Sequence, residues 1–241
     1  MLKPIQLLLS GALLLSAGAG AEPPPDPFDI LRLASDRLSA ASSFSFHVEK
    51  RFDVVLSDGA KVEYSGALDV MTTRSKGLFM DYGDDLSSKR VWYDGETMIL
   101  LDELTNFYVE TPVEGTVAQA LSQMSRKHGV ATPLEPLLQK NLVEQLKGRR
   151  SSYLGIHDAE GDPCHHLLFR GERADAQIWI TTGDEPLLRK LVLTFRDIEG
   201  SPQQSLTFSD WNLSAKIKRD VFKAQLPDGA RAIEFLPVGG E

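Results

Sequence analysis

CHHLLFRGERADAQIWITTGDEPLLRKLVLTFRDIEGSPQQSLTFSDWNL, residues 164–213, decides the fold of this chain. Turn-forming clusters at 171–174, 183–186 and 199–202 cut it into four segments of strand length. Each segment is rich in β-branched and aromatic residues, and each linker holds Gly or Pro, the pattern of a meander of hairpins. In 176–182 one face carries Ala176, Ile178 and Ile180, the other Gln177, Trp179 and Thr181. In 187–195 one face carries Leu187, Leu191, Leu193 and Phe195, while Leu188 and Val192 interrupt the polar side. Strands apolar on one face and partly apolar on the other fit a curved sheet with its concave side covered.

Upstream the same period of two returns. Phe44, Phe46, Val48, Phe52 and Val54 alternate with polar residues, Ser57-Asp58-Gly59 turns the chain, and Val62, Tyr64, Leu68 and Val70 alternate back. This predicts a long hairpin with one inner face. Shorter strands are expected at 77–82, 89–93, 97–101 and 106–110, with an Asp94-Gly95 turn between the second and third. Before the hairpin, Asp26 suits an N-cap, Pro27 the first helical position and Asp29 the first turn. Ile30, Leu31, Ala34, Leu38 and Ala41 follow at helical spacing and predict a helix of about four turns. Helical spacing recurs at 115–127 (Val117, Leu121, Met124) and more loosely at 133–147 (Leu134, Leu137, Leu138, Leu142, Val143, Leu146). Strands resume at Ser151, and 232–236 is expected as an edge strand after Pro227-Asp228-Gly229. A sheet of this many strands must curl, split or close. The economical arrangement is mainly β: one curled antiparallel sheet with the helices lying in its mouth.

The first residues, MLKPIQLLLSGALLLSAGAGA, read as a signal peptide over 1–21: Lys3, a short apolar core at 5–15, and Ala19-Gly20-Ala21 as the cleavage site. Cleavage after Ala21 leaves 22–241 as a single exported domain, expected in the periplasm as a monomer. No Cys follows the cleavage site to carry a lipid anchor, and the lone Cys164 excludes an internal disulfide. Loss of Lys3 takes the net charge from −8 to −9. So acidic a chain is a poor nucleic-acid binder. Basic residues cluster only at Lys147, Arg149 and Arg150 and at Lys216, Lys218 and Arg219; each suits a solvated edge better than an anionic head group.

The opening helix and long hairpin, the block YDGETMILLDELTNFYVE (93–110) and the central helical insert resemble the LolA/LolB lipoprotein-carrier superfamily. Within it, DPCHHLLFR (162–170), AQIWI (176–180), PLLRKLVLTFRD (186–197), SDWNL (209–213) and LPDGARAIEF (226–235) resemble the predicted periplasmic proteins grouped as domain of unknown function 2092. The resemblance covers nearly the whole mature chain. It implies an incomplete, unclosed β-barrel, capped by helices, with an apolar cavity able to take acyl chains. Superfamily members include a periplasmic carrier, an outer-membrane acceptor and a sensor of envelope stress. This chain departs from the lipid-anchored acceptor. A fold transfers through such a resemblance more readily than a ligand does.

The inner face then carries the candidate ligand contacts: Phe44, Phe46, Val48, Phe52, Tyr64, Leu68, Trp92, Phe107, Ile178, Leu191, Leu193 and Phe208. The same residues suit a solid core equally well. Arg51, opposite in facing to Phe52, has no assigned role. Cys164 and His166 share one strand face and His165 takes the other, with His157 nearby, but zinc needs three or four ligands. A small buried Cys and a hydrogen-bonded strand His is the better reading, so no cofactor and no metal are expected. The acidic pairs Asp84-Asp85, Asp102-Glu103 and Asp184-Glu185 fall in turns and are expected to be solvated. No nucleophile elbow and no phosphate-cradling loop occurs. The leading reading is a non-enzymatic binder of a hydrophobic small molecule, lipid or lipidated protein. A sensor module docking an envelope protein comes next, and a metal-dependent enzyme at Cys164 and His166 last.

Overall fold

A computed structural model describes residues 23–129, 134–138 and 142–234, so the leader and its cleavage site lie outside the described residues. Helix α1 (Pro27–Ala40) starts where the Asp26 carboxylate accepts the Phe28 N–H at 2.8 Å, with Pro27 in the first position. Strands β1 (Ser43–Val55) and β2 (Lys61–Thr73) pair over their whole length, from Ser43 opposite Thr73 to Val55 opposite Lys61. Gly59, at φ +85°, makes the turn between them, and Asp58 accepts the Ala60 N–H. The meander continues through β3 (Gly77–Asp84), β4 (Ser88–Tyr93), β5 (Thr97–Asp102) and β6 (Phe107–Pro112).

Helix α2 (Val117–His128) opens with a reciprocal cap between Thr116 and Gln119 and stops at left-handed Gly129. Of the loose helical stretch expected over 133–147, the described residues include α3 (Glu135–Leu138) and α4 (Leu142–Leu146), while 133 and 139–141 lie outside the described residues. Strands β7 (Arg150–Ala159), β8 (Asp162–Arg170), β9 (Ala174–Thr181), β10 (Leu188–Phe195) and β11 (Gln203–Asn212) form the second meander. Of the edge strand expected at 232–236, residues 235–236 lie outside the described residues; β12 is Arg231–Ala232, and its pairing with β6 is parallel, the one exception to antiparallel order among the described strands.

Among the described residues, twelve strands form one unclosed sheet in the order β12-β6-β5-β4-β3-β2-β1-β11-β10-β9-β8-β7, so β1 against β11 joins the two meanders and β7 and β12 are its edges. Tracing the register across the ladders places Phe44, Val70, Leu78, Tyr93, Met98, Phe208, Ile180 and Leu167 on one face. These residues form a continuous core with α1 (Ile30, Leu31, Leu38), α2 (Leu121, Met124) and α3 (Leu137, Leu138). The helices therefore cover the inner, concave face.

Arg74, in the turn after β2, clasps that cover. Its guanidinium donates to the carbonyls of Leu38 (2.6 Å) and Ala41 (2.9 Å) at the end of α1 and of Leu138 (3.0 Å) in α3, and it lies 5.0 Å from the Phe44 ring centroid. One side chain supplies a charged donor to carbonyls at the end of α1 and in α3.

Two face assignments are corrected by the register. Trp92 points to the outer face, because it pairs with Phe79 and Ile99 while its neighbour Tyr93 pairs with the inward Leu78 and Met98. The run Val91-Trp92-Tyr93 is apolar throughout, so alternation did not mark its inner residues. Leu188 points inward instead of interrupting the polar side, because the irregularity at Arg189 lets it sit opposite Ile180 while Leu191 still faces Ile178.

Candidate functional site

On β1–β5 and β10 burial falls along the concave face in the same direction, whereas on β8 and β9 it does not: Phe169 and Ala176, level with Leu193, are buried, with Phe28 of α1 5.1 Å from the Phe169 ring. On β1, Phe44, Phe46 and Val48 are buried, but Phe52 is half-buried. On β2, Val70 is buried and Leu68 and Tyr64 are not fully covered; on β3 the step is from Leu78 and Met80 to Tyr82. Tyr93 gives way to Val91 on β4 and Met98 to Leu100 on β5. On β10, Leu188 is buried and Leu191 and Leu193 are half-buried. The helices thus cover one end of the trough and leave the other partly open to water.

The expected ligand residues divide along this line. Phe44, Phe46, Val48, Ile178 and Phe208 lie in the covered core. Phe52, Tyr64, Leu68, Phe107, Leu191 and Leu193 lie at the open end, on the same face by register, and Trp92 is excluded from it. Phe52 and Tyr64 face each other across the hairpin with ring centroids 5.8 Å apart. Trp211 was not anticipated. It stacks on Phe46 at 4.5 Å and donates its indole N–H to the Leu188 carbonyl at 2.9 Å. Asp210, at φ +53°, breaks the alternation that would have marked it.

A charged cluster sits within the open end. Lys50 follows Val48 on the inward side of β1, with its Nζ 4.0 Å from the Phe52 ring centroid and 4.9 Å from that of Tyr82. It donates to the Tyr82 hydroxyl at 2.7 Å and lies 3.8 Å from Asp84 Oδ2. Tyr82 in turn donates to Asp84, which also accepts the backbone N–H groups of Leu86 and Ser87. Asp84 is therefore not the solvated turn residue expected; its side chain is only 5% exposed. Burial lowers the Lys50 pKa against the pull of Asp84. Burial and the bond to Asp84 push the Tyr82 phenol far above its usual range. Burial alone would raise the Asp84 carboxyl, but its hydrogen bonds outweigh that and hold it low. The cluster is a satisfied ion pair walled by aromatic rings. Nothing but the position of Lys50 in the alternation could have pointed to it.

Arg51 is exposed and lines a groove of about 680 Å³ with His47 and Glu49, to which Lys50 and Asp84 of this cluster also contribute. Cys164 and His166 share the outer face and His165 the inner one. His166 stacks on Trp179 (3.9 Å), its Nε2 lies 3.1 Å from Gln177 Oε1, and its Nδ1 lies 3.0 Å from His157 Nδ1. Since the Gln177 oxygen only accepts, His166 Nε2 carries the proton and His157 donates to His166 Nδ1. Burial, with the Asp162 charge, pushes the Cys164 thiol up to about 11, so it is not a ready thiolate. Among the described residues no three His, Cys, Asp or Glu side chains gather to hold a metal ion.

The model of the predicted periplasmic protein family DUF2092 matches residues 28–236. The chain belongs to that family. No curated protein matches this DUF2092 chain. Similar solved structures include an uncharacterized conserved protein from Thermus thermophilus (12% identity, covering 86% of this chain and 97% of that one, TM-score 0.48). A LolA superfamily protein from Nitrosomonas europaea is 13% identical over 81% of this chain and 96% of its own, with a TM-score of 0.37. The Pseudomonas aeruginosa MucA/MucB complex matches at 13% over 82% of this chain and 60% of that one, TM-score 0.43. Among the described residues, no helix is long and apolar enough to cross a membrane.

Proposed function

We propose that this DUF2092 chain is a non-enzymatic periplasmic binding protein, working in envelope lipid or lipoprotein transport. It takes an acyl chain, lipid or lipidated protein on the open end of its concave face. The signal peptide at 1–21 delivers 22–241 as one domain and a monomer. The observation that carries the reading is the fall of burial along β1–β5 and β10, which leaves Phe52, Tyr64, Leu68, Leu191 and Leu193 partly uncovered next to a packed core. Apolar floors with a few placed polar groups are the usual form of small-molecule sites, and Lys50 supplies such a group.

The test is fluorescent fatty-acid titration of wild type and Leu191→Arg, with native mass spectrometry of protein purified without detergent. Leu191→Arg is expected to keep the fold, because the side chain is half-buried, and to bind at least roughly tenfold more weakly, since a buried unpaired charge opposes the chain. Equal binding by wild type and variant, or no bound lipid-sized mass and no titration at all, overturns the proposal. A second reading, docking of an envelope protein, draws on β7, a ten-residue edge strand with exposed Leu154 and Ile156. Such an edge can take up an added strand. It predicts a partner that stays bound after delipidation and leaves on mutation of β7 instead of Leu191.

A further inference from the structure

Two rows of inward side chains cross the sheet at the open end. In the first, Leu191 on β10 faces Leu206 on β11, which faces Lys50 on β1; Gly66 and Asp84 follow on β2 and β3. In the second, Val48 faces Leu68, Leu68 faces Tyr82, and Tyr82 faces Lys89 on β4. Residues directly opposed in a ladder share a face of the sheet, so an apolar track leads to two lysines, both neighbours of Tyr82.

The two poles of the Lys50 and Asp84 pair are served unequally. Asp84 accepts from the Tyr82 hydroxyl and from the N–H groups of Leu86 and Ser87, and its side chain is 5% exposed. Lys50 is 20% exposed and has one close acceptor, the Tyr82 oxygen at 2.7 Å, with Asp84 farther off at 3.8 Å. An ammonium carries three N–H groups, so Lys50 keeps donors to spare. Gly66 lets Asp84 lie against β2, because a Cβ there would come within 2.5 Å of the Asp84 Cβ. Lys89 is partly buried and has no hydrogen-bond or ion-pair partner among the described residues. Asp102, opposite it in the ladder, is occupied by the N–H groups of Leu104 and Thr105. Burial, with the charge of Lys89 added, lowers the Lys50 pKa against the pull of Asp84. Two cations on one partly dry floor, one of them unpaired, favour an anion beside them.

We propose, resting on the binding reading above, that the ligand is an anionic amphiphile. Its chain lies over Leu191 and Leu68, and its single negative head group, a carboxylate or a phosphate, is held by Lys50 and Lys89. Such a head group gains charge-assisted hydrogen bonds from both ammonium groups. An alcohol, or the amide- or ester-linked chain of a lipidated protein, brings no charge to the chain end and leaves Lys89 unpaired.

The experiment is isothermal titration calorimetry of the exported protein with ligands of one chain length: dodecanoate, dodecyl phosphate, dodecanol and dodecyltrimethylammonium, each below its micelle concentration. The two anions are expected to bind, dodecanol roughly tenfold more weakly, and the trimethylammonium ligand more weakly still. The tighter of the two anions identifies the head group. Lys89→Met weakens both anions roughly threefold and leaves dodecanol unchanged. Lys50→Met alone would strand the Asp84 charge, so the pair is neutralised together as Lys50→Met with Asp84→Asn. That double variant weakens the anions roughly tenfold and leaves dodecanol unchanged. Lys216→Gln with Lys218→Gln, exposed cations elsewhere, changes nothing. Equal binding of dodecanoate and dodecanol, or full anion binding by either lysine variant, overturns the head-group assignment. The binding reading survives that result where Leu191→Arg still weakens dodecanol. No titration by any of the ligands overturns both.

Discussion

The two ends of the concave face are built from the same kinds of residue and behave differently. At the covered end Phe44, Leu78, Tyr93 and Phe208 are sealed under α1, α2 and α3. At the open end Phe52, Tyr64, Leu191 and Leu193 continue the same face, with the same alternation, only partly buried. Side-chain chemistry does not separate the covered end from the open one here; the reach of the helices does. An apolar side chain sealed on all sides is spent on stability, while one that keeps a wet side remains free to bind.

That contrast is broken most sharply by matched truncations. Phe44→Ala should cost about 3–5 kcal/mol, the range for a fully buried aromatic, and Leu193→Ala about 1 kcal/mol, because part of its surface is already wet. Urea melts of the two variants measure the difference, and equal losses would mean that the open end is core. Arg74→Met comes next, at about 2 kcal/mol, since carbonyls at the end of α1 and in α3 lose a charged donor. Faster amide exchange is expected in α1, α2 and α3 but not in β8–β10; an even rise across the sheet would show that Arg74 supports the whole fold instead of the cover.

The smallest effect is with pH. Burial, reinforced by His157 and opposed by the bond to Gln177, holds His166 below its ordinary 6.5, and burial does the same to His165. A base whose pKa is lower in the folded chain binds fewer protons folded than unfolded between the two values. Stability from this source is therefore complete above about 6.5 and lost as pH falls through that window. His166→Gln should flatten the acid side of a plot of Tm against pH without abolishing it, since His165 still titrates. An unchanged slope would place its origin elsewhere.

Much of this was readable in the sequence, because alternation and turn residues are local signals. The long hairpin and the second meander carry their inner faces openly, in Phe44, Phe46 and Val48 or Ala176, Ile178 and Ile180. The losses came where locality fails. Trp92 stands in an unbroken apolar run, and the Leu188 and Trp211 positions depend on irregularities that shift the alternation by one. The Lys50–Tyr82–Asp84 cluster joins three residues, each ordinary alone: a lysine in a strand, a tyrosine, and an aspartate next to a turn. How far the helices reach along the trough depends on α2, α3 and α4 packing together, which no single segment encodes.

The sheet stops short of closing, with β7 at one margin and the two residues of β12 at the other. A closed barrel has its radius set by strand number and stagger, so changing its bore means breaking ladder hydrogen bonds. An open one is hinged along its own length: small changes in twist at each of eleven strand pairings add up at the margins while every pairing stays intact. On the proposed binding reading, the girth of an occupant would be limited by how far the two lips can part, with the same set of hydrogen bonds kept for thick and thin ones.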